Sequence, residues 1–389
     1  MIDMNLDTLK LLLDVSCRSQ LFAKILNELE KVKKINFIDY QAHEISDGII
    51  PTVKIAKNSK LDEISHVKVF IGAQHNEYNG LFGILEFLRL IYEGVVEIND
   101  ILQEDQILYF IPLMNPFGFL NPNKDNKSGY YLKNGTNLNR FWRRAFAPNY
   151  KDGENDLDKL PTPEQVILIK KIFQKYWEKE NISLYILDFH ETSLLERFPI
   201  ELAANLNLFY KFDHWLKEGI VLNIIKLYSI PYYRKPLFYK CNPSADHTHL
   251  NLTHKQFETV FEKLREYMSR NQGKGKLPFY FCYNNKSREY CSKLANIVYN
   301  KLKEKLWETY YPAFDHYFIN HGCFVNMSDA TSRPRVYSME LETQKQFFNI
   351  FDEIQKSKSD PNYYEIKLNL INVSIELVLE TIKEMINLF

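Results

Sequence analysis

The sequence predicts an α/β protein built on a largely parallel sheet flanked by helices. Three short, mostly apolar runs carry that reading: Val67–Ala73, Ile107–Leu113 and Leu184–Phe189. Each has the length of a strand buried on both faces, and each is separated from the next by segments of helical period. Strands that alternate with helices point to parallel pairing, because a parallel connection needs a crossover.

The elements follow in order. Leu9–Val32 has apolar residues at helical spacing. Phe37–Ile45 and Pro51–Ala56 read as strands on either side of the turn residues Ser46-Asp47-Gly48. Val67–Ala73 leads through a small-residue turn into the helix Leu81–Tyr92. Ile107–Leu113 ends in Asn115-Pro116-Phe117-Gly118, a loop signal, and Asn121–Gly135 is rich in Asn, Lys and Gly and predicts an exposed loop. Thr162 reads as an N-cap, with Pro163 at the first helical position and Glu164 in the first turn of a helix reaching about Lys179. Leu184–Phe189 is the next buried strand.

From about residue 197 to 317 the pattern loosens. This span predicts an insertion lying over the sheet of a single domain covering residues 1–389, with helices at Tyr210–Ile220, Thr253–Arg270 and Ser287–Glu308. Val336–Glu342 alternates cleanly, with Ser338, Glu340 and Glu342 on one face and Met339 and Leu341 on the other. Leu370–Met385 predicts a closing helix.

Composition narrows the function classes. The 389 residues carry 49 Lys+Arg against 49 Asp+Glu, so the formal net charge is zero and nothing global suggests nucleic acid or an anionic membrane as partner. The lysine-rich stretch Lys255–Lys276 reads as a solvated helix face and loop. Five cysteines without metal-site spacing do not form a disulfide framework and favour a reducing compartment. No run approaches the ~18 apolar residues of a membrane helix, and the first residues lack a signal-peptide pattern; a cytoplasmic protein is expected.

Chemistry-bearing residues collect where strands end. Gln74, His75 and Glu77 follow the first apolar run, Asn139-Arg140 follows the polar loop, Asp188 and His190 close the third run, and Glu340 and Glu342 lie on the alternating strand. Open α/β sheets bind ligands at these carboxyl ends. Hydrolytic zinc sites take three N/O ligands and keep a fourth position open, which two neighbouring ligands and one distant histidine would satisfy. Asp188 shares a strand face with His190 and can accept its second ring N–H. A carboxylate that does not bind the metal is the candidate general base. An arginine beside an asparagine suits a substrate carboxylate, because guanidinium presents a planar fork of donors.

In this order the stretches resemble the zinc carboxypeptidases, the metallopeptidase family related to carboxypeptidase A. The family's G-x-H-x-x-E appears as Gly72-Ala73-Gln74-His75-Asn76-Glu77, with Gly80 matching a common glycine. Its N-P-x-G is Asn115-Pro116-Phe117-Gly118, and its D-x-N-R is similar to Asn137-Leu138-Asn139-Arg140. Its helix-opening P-E-T resembles Pro163-Glu164-Gln165, its D-x-H resembles Asp188-Phe189-His190, and its T-x-E-L resembles Ser338-Met339-Glu340-Leu341. The resemblance covers roughly residues 40–195 and 318–389.

The resemblance implies a mixed, mostly parallel, eight-stranded twisted sheet and one catalytic Zn2+. It implies hydrolysis of the C-terminal peptide bond of a peptide substrate. Glu340, with Glu342 as its alternative, would activate the metal-bound water, and Asn139 and Arg140 would hold the substrate's free carboxylate.

Three departures matter. Aligned without a gap, the first ligand position holds Gln74, giving a Gln-x-x-Glu variant that keeps Asn76, Glu77 and Gly80 in phase; a one-residue deletion makes His75 the ligand instead. The ungapped reading takes Gln74, Glu77 and His190 as the metal ligands. A glutamine oxygen is a weaker ligand than imidazole. No arginine lies between Asn115 and Asn139, where the family places one to polarise the scissile carbonyl; Lys133 stands in its stead as a point charge. The family's substrate-lining tyrosine is hidden among Tyr232, Tyr233, Tyr239 and Tyr311.

Two further readings remain open: a zinc amidohydrolase acting on N-acyl amino acids, of the aspartoacylase or desuccinylase kind, and a non-catalytic relative that keeps only the carboxylate pocket.

Overall fold

The computed structural model describes residues 15, 17–58, 60–122, 129–147, 159–192, 277, 279–284, 286–306, 313–315, 328, 335–345 and 361–388. Eight strands form one mixed sheet. They are β1 (Ile38–Ile45), β2 (Gly48–Ala56), β3 (His66–Ile71), β4 (Gln106–Ile111), β5 (Ser183–Thr192), β6 (Phe279–Tyr283), β7 (Ala313–Asp315) and β8 (Val336–Gln344). Their order across the sheet is β1-β2-β4-β3-β5-β8-β6-β7. The centre, β4-β3-β5-β8, is parallel; β1, β2 and β4 pair antiparallel, as do β8 and β6.

Five longer helices flank the sheet: α1 (Arg18–Val32), α2 (Asn79–Tyr92), α3 (Glu164–Trp177), α4 (Arg288–Leu302) and α5 (Pro361–Leu388). One face of the sheet is covered by α1, α2, α4 and α5, whose Leu21, Leu81, Leu294 and Ile375 share a core with Phe70, Leu187, Phe189, Met339 and Leu341. The opposite face is covered by α3, whose Val166, Ile169 and Phe173 pack with Val67, Val69, Ile71, Leu184 and Ile186. Strand alternation therefore sorts the central residues into two cores. Gly80 lets α2 lie directly on β5, since a Cβ there would stand 2.4 Å from Phe189 Cβ.

The strands stand within three residues of where periodicity put them. The helices depart further: α1 begins at Arg18, with residues 9–14 of the expected helix outside the described residues. α4 ends at Leu302, six residues short of Glu308, and α5 begins at Pro361, nine residues before Leu370. The helix start at 162–164 is one residue later than expected. Pro163, in extended conformation (φ −58°, ψ 146°), occupies the N-cap position without a side-chain cap, and Glu164 is the first helical residue. The reason lies in the backbone: the Pro163 carbonyl is the first acceptor, taking the N–H groups of Val166 and Ile167 at 3.0 and 3.1 Å.

Within the 197–317 span, the described parts belong to the sheet and its cover. β6 pairs with β8, and α4 fills the core beside α5. The predicted helices at 210–220 and 253–270, the lysine-rich stretch and the four candidate tyrosines lie outside the described residues. Among the described residues Cys17, Cys282 and Cys291 are free thiols, and no helix is long and apolar enough to cross a membrane.

Candidate metal centre

The face of the sheet under α3 is apolar along most of its length and turns polar at the carboxyl ends of three adjacent strands. On β5, Leu184 and Ile186 give way to Asp188 and His190; on β8, Val336 gives way to Ser338, Glu340 and Glu342. Parallel register sets Ile71 opposite Asp188, and Asp188 opposite Glu340. β3 contributes through the turn that follows it. Ala73 there takes a left-handed conformation (φ 46°), uncommon for a residue with a Cβ, and the chain swings over the sheet edge through residues 74–77.

His190 is the centre of the cluster. Its Nδ1 lies 3.2 Å from Glu77 Oε2, and its Nε2 lies 2.7 Å from Asp188 Oδ2 and 3.9 Å from Glu340 Oε1. His75 Nδ1 lies 3.2 Å from the other Glu77 oxygen. His75, Glu77, Asp188, His190 and Glu340 are all buried.

Three contacts fix the His75 ring. Besides Glu77 at Nδ1, its Nε2 meets Asn137 Oδ1 at 3.1 Å, and its face stacks on Tyr130 with centroids 4.0 Å apart and planes 10° from parallel. Asn137 Oδ1 also accepts the Asn139 N–H at 2.9 Å, capping the single turn Leu138–Arg140. Gly129 (φ 87°) delivers Tyr130; a Cβ there would stand 2.4 Å from Gly118 O and 2.5 Å from Asn76 Cβ.

Gln74 sits on another side of His190. Its Nε2 is 3.1 Å from His190 Nε2, and its Oε1 accepts the indole N–H of Trp142. Arg140 is half-buried and donates through Nη1 to the Asn139 carbonyl at 2.9 Å, with its charge close enough to Tyr130 to act on the phenol. Lys133 is exposed; it lines a groove with Asp47 and Glu164, its backbone N–H 3.4 Å from Asp47 Oδ2. Glu342 is half-buried, level with His190 in the register.

The electrostatics call for positive charge. Burial pushes the Glu77 carboxyl up, but the His190 and His75 imidazoles together outweigh it and hold that carboxyl well below the usual range. Burial pushes His190 down, and the Asp188 and Glu77 carboxylates overcome it, raising His190 well above an ordinary histidine. Burial raises Asp188, with His190 opposing.

Among the described residues, two sets of side chains bring ligand atoms within 4.8 Å of one another: His75, Glu77 and His190, and Asp188, His190 and Glu340. Nitrogen and oxygen ligands sharing one tetrahedral zinc sit about 3.3 Å apart, given metal–ligand bonds of ~2.0–2.1 Å. The Glu77 separations from both imidazoles match that spacing. Glu77 Oε2 and both Asp188 oxygens are buried without a well-aligned hydrogen bond, a costly arrangement that a cation would relieve. These residues fit a metal ion.

Tyr130, Trp142 and Asn137 were not singled out as site residues by the sequence. Tyr130 lay in a loop expected to be exposed. The signal that could have found it is a glycine placed directly before a large aromatic residue.

No protein-family model and no curated protein matches the sequence. Solved structures do. Bovine thrombin-activatable fibrinolysis inhibitor, in complex with tick carboxypeptidase inhibitor, is 12% identical over 95% of this chain and 96% of that one, with a TM-score of 0.50. A metallo-carboxypeptidase from Burkholderia cenocepacia is 10% identical over 92% of this chain and 68% of its own, with a TM-score of 0.42. The chain shares the fold of the thrombin-activatable fibrinolysis inhibitor structure.

Proposed function

We propose that this protein is a zinc-dependent carboxypeptidase that hydrolyses the C-terminal amide bond of a peptide bearing a free carboxylate. The observation that carries the reading is the convergence of His75 Nδ1, Glu77 and His190 Nδ1, with Glu340 one strand away opposite Asp188. On this reading His75, not Gln74, is the first ligand, because its Nδ1 faces Glu77 while the Gln74 oxygen is engaged by Trp142. The weaker glutamine ligand is then not needed.

Zinc bound there would supply Lewis acidity, polarising the scissile carbonyl and making water acidic enough to attack near neutral pH. The chain's own groups do the rest. Asp188 Oδ2 stands 2.7 Å from His190 Nε2 and Asn137 Oδ1 accepts the His75 Nε2–H, and both rings present Nδ1 to Glu77. Glu340, a buried carboxylate 3.9 Å from His190, takes a proton from the attacking water and returns it to the amide nitrogen as the C–N bond breaks. Arg140 and Asn139 hold the substrate's terminal carboxylate. Lys133 has no role in this scheme.

Elemental analysis of the purified protein, followed by mass spectrometry of peptides and N-acyl amino acids incubated with it, tests the reading. One zinc per chain and shortening of peptides by single C-terminal residues are expected. Cleavage of N-acyl amino acids alone would move the assignment to the deacylase. Protein that holds no zinc even after zinc is added would overturn both.

A further inference from the structure

We propose that Glu191 is a positioning residue that sets the distance between the two halves of the metal site, a role that rests on the zinc reading above. Consecutive side chains of a strand point to opposite faces. His190 therefore projects toward the cluster, and Glu191, the next residue of β5, projects beneath the turn that carries His75 and Glu77. Glu191 is buried, and its Oε1 accepts two backbone N–H groups, from Tyr78 at 2.6 Å and from Asn79 at 2.5 Å. These are the two residues immediately after Glu77.

The partners lie 113 and 112 positions apart in sequence, so this is no local cap. A carboxylate suits the task. The first turn of α2 presents orphan N–H groups with the positive end of the helix dipole, and charge-assisted bonds to them are shorter and stronger than neutral ones. The same corner is tied to β8: Asn79 Nδ2 donates to Thr343 Oγ1 at 2.8 Å and to the Gln344 carbonyl at 3.1 Å, and Thr343 Oγ1 donates to the His190 carbonyl at 3.1 Å. Only the Glu191 side chain and short stretches of backbone separate Glu77 from His190 along this route. The 3.2 Å approach of Glu77 Oε2 to His190 Nδ1 is thus held from below.

Zinc affinity measured by competition with a chromophoric chelator, together with the melting temperature of each variant, tests the role. Glu191→Ala should weaken zinc binding by about 10- to 100-fold, the usual effect of losing a group that orients a metal ligand. Glu191→Gln, whose amide oxygen still accepts both N–H groups, should recover most of the affinity. Glu191→Asp, one methylene too short, should fall between them and serves if the alanine variant does not fold. Val298→Ala, which opens a cavity in α4 away from the site, should lower the melting temperature and leave zinc affinity unchanged. Zinc affinity within about twofold of wild type in both Glu191→Ala and Glu191→Asp would overturn this role alone. Wild-type protein that binds no zinc, or His190→Ala that binds it as well, would overturn the metal reading and this role with it.

Discussion

The two faces of the central sheet bury charge in opposite ways. Under α5, Lys68 of β3 is fully buried among aromatic and aliphatic side chains, and its Nζ donates to the Ile386 carbonyl at 2.5 Å. That carbonyl belongs to the last turn of α5, where backbone acceptors lack intrahelical partners and a cation is favoured by the dipole. The lysine and the helix end satisfy each other. Under α3, by contrast, Glu77, Asp188 and Glu340 crowd around two imidazoles, and three of their carboxylate oxygens accept no aligned hydrogen bond. A buried amine with a protein partner is accommodated by the fold; a buried cluster short of positive charge is built for something that arrives. Changes at the two faces should therefore separate chemistry from stability.

The largest effect belongs to Glu340. Glu340→Gln should cut peptide hydrolysis by roughly 10²–10⁴-fold, the range for removing a positioned general base, while zinc content stays at the wild-type level. Steady-state kinetics beside elemental analysis checks both halves. A variant that keeps its rate would pass the role to Glu342, which shares the face and lies one strand step on.

The ligand question comes next. His75→Ala should lower zinc affinity by more than the ~10–100-fold of a supporting group, whereas Gln74→Ala, which removes only the contacts to Trp142 and His190, should stay within that range. Chelator competition on the pair decides it. The reverse order would restore the ungapped motif.

That pair also marks where reading the sequence ran out. The sheet was legible because parallel strands buried on both faces are written as mostly apolar runs, as at Val67–Ile71 and Leu184–Phe189, with Lys68 and Asp188 the charged exceptions. Glu77, His190 and Glu340 were legible because strand alternation and strand ends fix where such side chains point. The choice between Gln74 and His75 was not. Counting residues assumes a regular path, and the left-handed turn at Ala73 changes which neighbour faces Glu77. Tyr130 was hidden for the opposite reason: the composition of its loop is that of solvent, yet Gly129 folds the loop back under Asn76 and lays the ring on His75. Glu191 was in plain view beside His190. Its role depends on Tyr78 and Asn79, whose approach is a matter of tertiary packing.

The smallest effect tests the other face and should leave catalysis alone. Desolvation lowers the Lys68 amine from its ordinary value to about 7, against the attraction of Asp105. In the unfolded chain the same amine titrates near ~10.4. Between those values the unfolded state holds a proton that the native state does not, so stability must rise with pH across that window and be lowest below it. In Lys68→Met this dependence is absent. The difference in unfolding free energy, wild type minus Lys68→Met, should therefore climb by about 1 kcal/mol per pH unit above pH ~7, as read from urea titrations at several pH values. Other titrating groups are common to both proteins and cancel. A flat difference would mean that the Ile386 carbonyl and Asp105 together keep the ammonium ion as comfortable inside as in water. The contrast between a satisfied and an unsatisfied face would then be sharper still, with the whole cost of buried charge concentrated around His190.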